Sequence, residues 1–232
     1  MFTVLEVKPL KARLFDSGLL LATLVVFAAS PVLAQGKTGE RVMIPTLQSS
    51  DKELGVQAAE AIRSQLSKQT NIRDVVVVPK ADINNSLQSS GYPPTEALAP
   101  GDAKALASLV RAPQYIDGTV TKTPTGYKID SRLIISRDMT RAQVLPSAQA
   151  PKLDDAASQV AKSIQAARKQ LSGEEACHNA VAQGKFQEGV NAARAAMSGY
   201  PNANIAAACL VDAYAELNER DGAVDRTLIR NL

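Results

Sequence analysis

Histidine and cysteine are scarce in this 232-residue chain, one and two residues, and their spacing decides what they can do. The only histidine, His178, directly follows Cys177. Adjacent residues on a helix point about 100° apart, so this pair does not make a nucleophile in contact with its base. "EEACH" (174–178) lacks the first cysteine of the C-x-x-C-H haem attachment. One histidine with the widely spaced Cys177 and Cys209 does not match a zinc site. Gly184-Lys185 suggests a phosphate loop, but Phe186 stands where that loop has Ser or Thr, and Asn179 stands where it has its first glycine. The "GKT" of 36–38 has Pro31 at the corresponding glycine position. The acidic pairs Asp154-Asp155 and Glu174-Glu175 fall at helix starts, where negative charge meets the positive end of the dipole. The chain is therefore read as non-enzymatic, with no catalytic residue, no cofactor and no metal ligand.

Composition agrees with a scaffold. Aromatics are 4% and Trp is absent. Alanine is abundant, which favours close helix packing over an aromatic-lined pocket. The net charge of +3, with no basic run, argues against nucleic acid. The first segment reads as a signal peptide, residues 1–34. Lys8, Lys11 and Arg13 precede the apolar "GLLLATLVVFAA" (18–29), and Val32 and Ala34 occupy the small-residue positions of a cleavage site. An uncleaved N-terminal anchor is the alternative. No cysteine lies near the cut, so no lipid-modified N-terminus is expected. The mature chain is expected to be exported, periplasmic or otherwise extracytoplasmic, with no membrane span left. In an oxidising compartment Cys177 and Cys209 are a candidate disulfide, with two buried thiols as the other reading.

After a mobile leader (35–40), "RVMIPTL" (41–47) reads as a buried strand. Leu54, Ala58, Ile62 and Leu66 recur once per turn and predict a helix over 51–70, capped by Asp51. "DVVVV" (74–78) reads as an interior strand covered on both faces, completing a βαβ unit. A short helix around Ile83 and Leu87 follows. The loop "SSGYPPTEALAPG" (89–101) is a rigid connector or, through Tyr92, Pro93 and Pro94, a contact site. A helix from Asp102 carries Leu106, Leu109 and Val110 and must stop before Pro113. "QYIDGTVTK" (114–122) and "YKIDSRLIIS" (127–136) flank "TPTG" as a hairpin. Tyr127, Ile129, Ser131, Leu133 and Ile135 share one face, and Lys128, Asp130 and Arg132 the other. A polar link (137–152) then leads to a helix from Leu153 to Leu171. The sum is a small mixed-sheet α/β domain, residues 41–171.

The order "RVMIPTL", "AAEAIRSQLSKQTNIRDVVVV", "SSGYPP" and "AKALASLVRAPQYIDGTVTKTPTGYKIDSRLI" resembles the amino-terminal domain of TolB-like proteins. In that family a helix runs into an "A-x-Y-hydrophobic-x-G-x-V" pattern that opens the hairpin, and "APQYIDGTV" (112–120) is similar to it. The resemblance covers most of 41–136 and implies a fold, with no catalytic signature to carry over. TolB continues into a β-propeller and this chain does not, so that protein's partners do not transfer.

Residues 173–232 resemble tetratricopeptide (TPR) repeats, which recur every ~34 residues as helix, turn and helix. Gly184 marks the turn, Phe186 follows it, Gly189 makes the close helix contact, Ala196 lies on the same face and Pro201 terminates. One period on, Leu210, Tyr214, Ala223 and Val224 take the equivalent core places. The second unit decays at Arg230, about one and a half units in all. That implies a shortened chain, or a partner covering an open end through which self-association is also expected. The overall class is α+β/α: a TolB-like α/β domain joined to a TPR-like helical hairpin. The expected function is an exported envelope scaffold or adaptor for a protein or peptide partner. Asn179, Gln183, Asp212 and Glu216 are its groove candidates. The alternatives are a small-ligand or enzymatic α/β domain, with its site at the carboxyl ends of the first two strands, and a self-associating structural module.

Overall fold

The structure is a computed structural model that describes residues 39–200 and 202–221. The signal-peptide region 1–34, most of the leader, Pro201, Ala223, Val224 and Arg230 lie outside the described residues. Among the described residues no helix is long and apolar enough to cross a membrane.

The architecture is mixed α+β. Strand β1 (Glu40–Met43), helix α1 (Lys52–Gln69) and strand β2 (Val75–Val77) form the expected βαβ unit, with β1 and β2 parallel. Asp51 caps α1, its Oδ1 accepting from the amides of Glu53 and Leu54 at 3.0 and 3.3 Å. Helices α2 (Lys80–Ser89) and α3 (Pro100–Leu109) follow, then the long hairpin of β3 (Gln114–Thr123) and β4 (Gly126–Ile135). Its turn closes tightly: Gly126 holds φ 141°, and a Cβ there would stand 2.2 Å from the Ala150 carbonyl oxygen. Strands β5 (Asp138–Val144) and β6 (Ala148–Ala150) come next, then helix α4 (Leu153–Arg168). The sheet order is β2-β1-β3-β4-β5, and β6 pairs with the remaining length of β4.

Three expectations are corrected. The "DVVVV" strand is not interior: β2 is the sheet edge, and its valines are apolar because α1 and α2 flank it. The polar link of 137–152 holds two strands. Strand β5 alternates, but its buried positions are Arg141 and Gln143, so no apolar period marks it. The helix placed at Leu153–Leu171 breaks after Arg168, and Leu171 opens the next helix.

One sheet face packs against α1 and α4, burying Ile62, Leu66, Ile116, Ile129, Leu133, Val160 and Ile164, each worth about 1.5–3 kcal/mol. Alanines 58, 61, 157 and 161 let the two helices lie side by side on it. Among the described residues, the other face is covered at one end, where α2 and α3 bury Met43, Ile83, Leu87, Leu106, Tyr115 and Ile134.

Glycine spacing yields a test of this packing. A Cβ on Gly55 would stand 2.3 Å from the Leu47 carbonyl oxygen, whereas one on Gly101 meets open space. Gly55→Ala is expected to destabilise by more than about 2 kcal/mol despite alanine's helix preference, and Gly101→Ala to stabilise by about 0.5 kcal/mol. Urea denaturation reads both signs.

Candidate functional site

Helices α5 (Leu171–Ala182), α6 (Phe186–Gly199) and α7 (Asn204–Asp221) follow α4 with only Lys169 and Gln170 between. Gly184 turns α5 into α6 at φ 72°. Gly189 lies where the three helices come closest, since a Cβ there would stand 3.1 Å from Val181 and 3.5 Å from Ala213. Cys177, Val190, Ala193, Cys209, Leu210 and Ala213 form their core, with Tyr214 packed partly against it, and Ala196 joins a small cluster with Ala203 and Ala206. Phe186 is half-buried at the start of α6. Arg194 lies over the Tyr214 ring at 5.7 Å. Cys177 and Cys209 are joined in a disulfide with Cα atoms 6.3 Å apart, stapling α5 to α7. His178 therefore neighbours a sulfur already bonded, which has no thiolate to offer.

These helices are anchored to the sheet by buried polar groups. Glu174, 1% exposed, accepts from both Arg137 and Arg141. Its carboxylate opens α5, but its main partners are these two guanidinium groups, so the helix-start reading of Glu174 is incomplete. Arg141 also reaches Asp212 on α7 and Asp138 on its own strand. Asp138 accepts from the Thr140 hydroxyl at 2.7 Å and the Thr140 amide at 3.0 Å. The Thr140 hydroxyl and amide, assisted by Arg141, hold its carboxyl below the usual carboxylate range.

Beside this cluster, Gln170 and Gln143 are both fully buried. Gln170 donates to Gln143 at 3.0 Å, and its own oxygen accepts from the amides of Ile205 and Ala206, each at 3.1 Å. The Gln143 oxygen accepts from the Asn204 amide at 2.9 Å. Helix α7 begins after Ala203, which has no side-chain oxygen. Its orphan first-turn amides are capped instead by two glutamines distant in sequence, one of them on β5.

The four groove candidates do not converge. All are exposed. Asp212 is tied to Arg141. Asn179 lies two residues beyond Cys177, about 200° round α5, and so faces away from α7; Gln183 lies one turn on from Asn179. Glu216 lies one turn beyond Asp212 on α7. The loop of Tyr92, Pro93 and Pro94 is pinned by its neighbours: Tyr92 donates to Asp102 at 2.8 Å and Thr46 donates to the Pro94 carbonyl at 2.9 Å. At the carboxyl ends of β1 and β2, Ile44, Pro45, Leu47 and Val78 are buried, and Arg63 donates to the Ile44 carbonyl. A hollow of about 430 Å³ lies just beyond, beside Leu47, Ser49, Lys52 and Glu96.

The anchors should rank by burial. Glu174→Ala removes the buried carboxylate shared by Arg137 and Arg141, leaving Arg141 its more exposed partners Asp138 and Asp212, and is expected to cost about 3 kcal/mol. Gln170→Ala is expected to cost about 1–3 kcal/mol by uncapping α7, and Asp212→Ala, half-exposed, less than about 1 kcal/mol. Removing the disulfide, which closes a separation of 32 residues, should cost about 3–4 kcal/mol. Urea denaturation measures all four. Because the Asp138 carboxyl is lowered on folding, its contribution is present above its ordinary range and lost as pH falls through the lowered value. Stability should therefore decline on acidification below about pH 4, and less so in Asp138→Asn.

No protein-family model matches the chain, and no curated protein matches it. Among solved structures, the chain is similar to the LpoB C-terminal domain from Escherichia coli at 14% identity and TM-score 0.36, over 48% of this chain and 80% of that one. It is similar to TolB from Acinetobacter baumannii at 13% identity and TM-score 0.34, over 55% of this chain and 27% of that one. It is also similar to the PelC dodecamer structure from Paraburkholderia phytofirmans at 17% identity and TM-score 0.29, over 46% of this chain and 66% of that one. At those scores the likenesses carry no argument about function, and the mixed α+β architecture stands on the chain's own strands and helices.

Proposed function

We propose that the chain is an exported, non-enzymatic adaptor that mediates protein–protein contacts in the cell envelope. In this reading an α/β domain at 41–171 carries a TPR-like helical module at 173–232. The observation that supports it is the arrangement of α5, which packs against both α6 and α7. In helical repeats the first helix of each pair likewise touches its own partner and the next first helix, and the neighbouring first helices present a binding face. Here that face is held rigidly: the disulfide fixes α5 to α7, and Arg141 fixes both to β5. A rigid face binds with a smaller ordering cost than a mobile one. A disulfide suits an oxidising compartment, in line with the export pattern of the first 34 residues.

Photo-crosslinking amino acids placed singly at Glu216 on α7 and, as a control, Lys122 on the far hairpin test this reading in intact cells. The expected outcome is a discrete protein adduct from Glu216 and none from Lys122. Adducts from Lys122 alone would contradict it.

A second reading, small-ligand binding by the α/β domain, is favoured by a hollow of about 500 Å³ on the uncovered half of the sheet, lined in part by Leu98, Asp117, Arg132 and Val144. It predicts ligand-dependent thermal stabilisation that Val144→Arg abolishes, measured by screening small metabolites against both proteins.

A further inference from the structure

The run Asp74-Val75-Val76-Val77-Val78-Pro79 sets four β-branched residues in a row and ends on proline. The fold leaves its strand, β2, at the edge of the sheet, and an apolar edge is a template for a further strand. The register with β1 fixes which backbone groups are free. Val42 pairs with Val77, and the Val78 amide donates to the Val42 carbonyl at 2.9 Å. Successive residues of a strand direct their backbone groups to opposite edges, so Val75 and Val77 turn theirs away from β1. The Asn71 carbonyl takes the Val75 amide at 2.9 Å. Outward-facing groups therefore remain at the Val75 carbonyl and at both the amide and the carbonyl of Val77. Ile72, at the entry to the same edge, is 73% exposed.

We infer that two copies of this chain pair through β2, strand beside strand and antiparallel about a two-fold axis. A second copy is the occupant because the edge complements itself. Two antiparallel registers exchange a pair of backbone hydrogen bonds, one centred on Val76 and one on Val77. The first sets Asp74 against Val78 and leaves Lys80 beside Ile72. The second joins the Val77 amide of each copy to the Val77 carbonyl of the other, and sets Asp74 opposite Lys80 twice. By alternation Asp74 shares a face with Val76 and Val78, the face that α2 covers, and Lys80 is the first residue of α2. Both side chains are exposed, and among the described residues neither enters an ion pair. Opposite charges across paired strands favour that register over its neighbour, so the contact centres on Val77. Helix α7 packs against β5 at the other edge of the sheet, so this pairing stands or fails apart from the helical face of the adaptor reading.

Sedimentation equilibrium of the purified chain from residue 35 onward tests this as concentration rises from about 10 μM to about 1 mM. The expected result is a mass rising toward that of two copies, with hydrogen exchange of the Val77 amide slowing over the same range. Val77→Pro removes the outward amide at an edge position where proline is tolerated. It should leave a folded monomer at every concentration. Asp74→Lys alone and Lys80→Asp alone should each weaken the dimer at least about tenfold, because like charges then meet twice across the axis. The two together should restore it, and they decide the matter if Val77→Pro does not fold. A monomer throughout, a dimer that folded Val77→Pro leaves intact, or a double exchange that does not restore pairing would each overturn the inference.

Discussion

The start of α7 is the point on which the helical half of the molecule depends. A helix that opens as Asn204-Ile205-Ala206 after an alanine has amides that need acceptors and no local side chain placed to supply them. Burial raises the stakes, because an unmet buried amide costs about 1–3 kcal/mol. The acceptors are the side-chain oxygens of Gln170 and Gln143. One follows α4 and the other lies on β5, so α7 takes its first turn only where sheet and helices are already together. Arg141 and Glu174 act on the same joint. Each is buried beside the other, Glu174 with Arg137 as its second partner and Arg141 with Asp138 and Asp212, so the joint is a network of charges. Ile205, just inside the cap, then packs into the same core as the main sheet.

This joint explains both what the sequence made legible and what it concealed. The α1 stripe of Leu54, Ala58, Ile62 and Leu66, the Asp51 cap and the β3–β4 hairpin followed from ordinary periodicity, because their buried faces are apolar. The βαβ unit followed for the same reason. Strand β5 escaped because its inward residues, Arg141 and Gln143, are polar and buried for the sake of partners more than 25 residues away. Their signal was present only as an unusually polar segment with a period of two. Glu174 does lie in the first turn of α5, but nothing local announces its two arginine partners, Arg141 on β5 and Arg137 in the turn before it. The edge position of β2 was hidden because flanking helices make an edge strand as apolar as an interior one.

Among the candidate partner residues, local spacing placed each on an exposed helical surface but said nothing of where those surfaces point. Asn179 and Gln183 face away from the disulfide, while Asp212 is drawn to Arg141, so the four do not line one groove. Gly184, Gly189 and Leu210 were legible because a turn, a close helix contact and a buried leucine leave marks in the local pattern.

The central claim is that the polar joint makes sheet and helices one cooperative structure. Native-state hydrogen exchange measures this directly. The Ile205 and Ala206 amides should open with the same free energy as the Ile129 and Leu133 amides of the central hairpin, and both should fall together when Gln170 is replaced by alanine. If the α7 amides instead exchange at a distinctly lower free energy while the hairpin stays protected, the helices are a separately opening unit and the joint does not govern the fold.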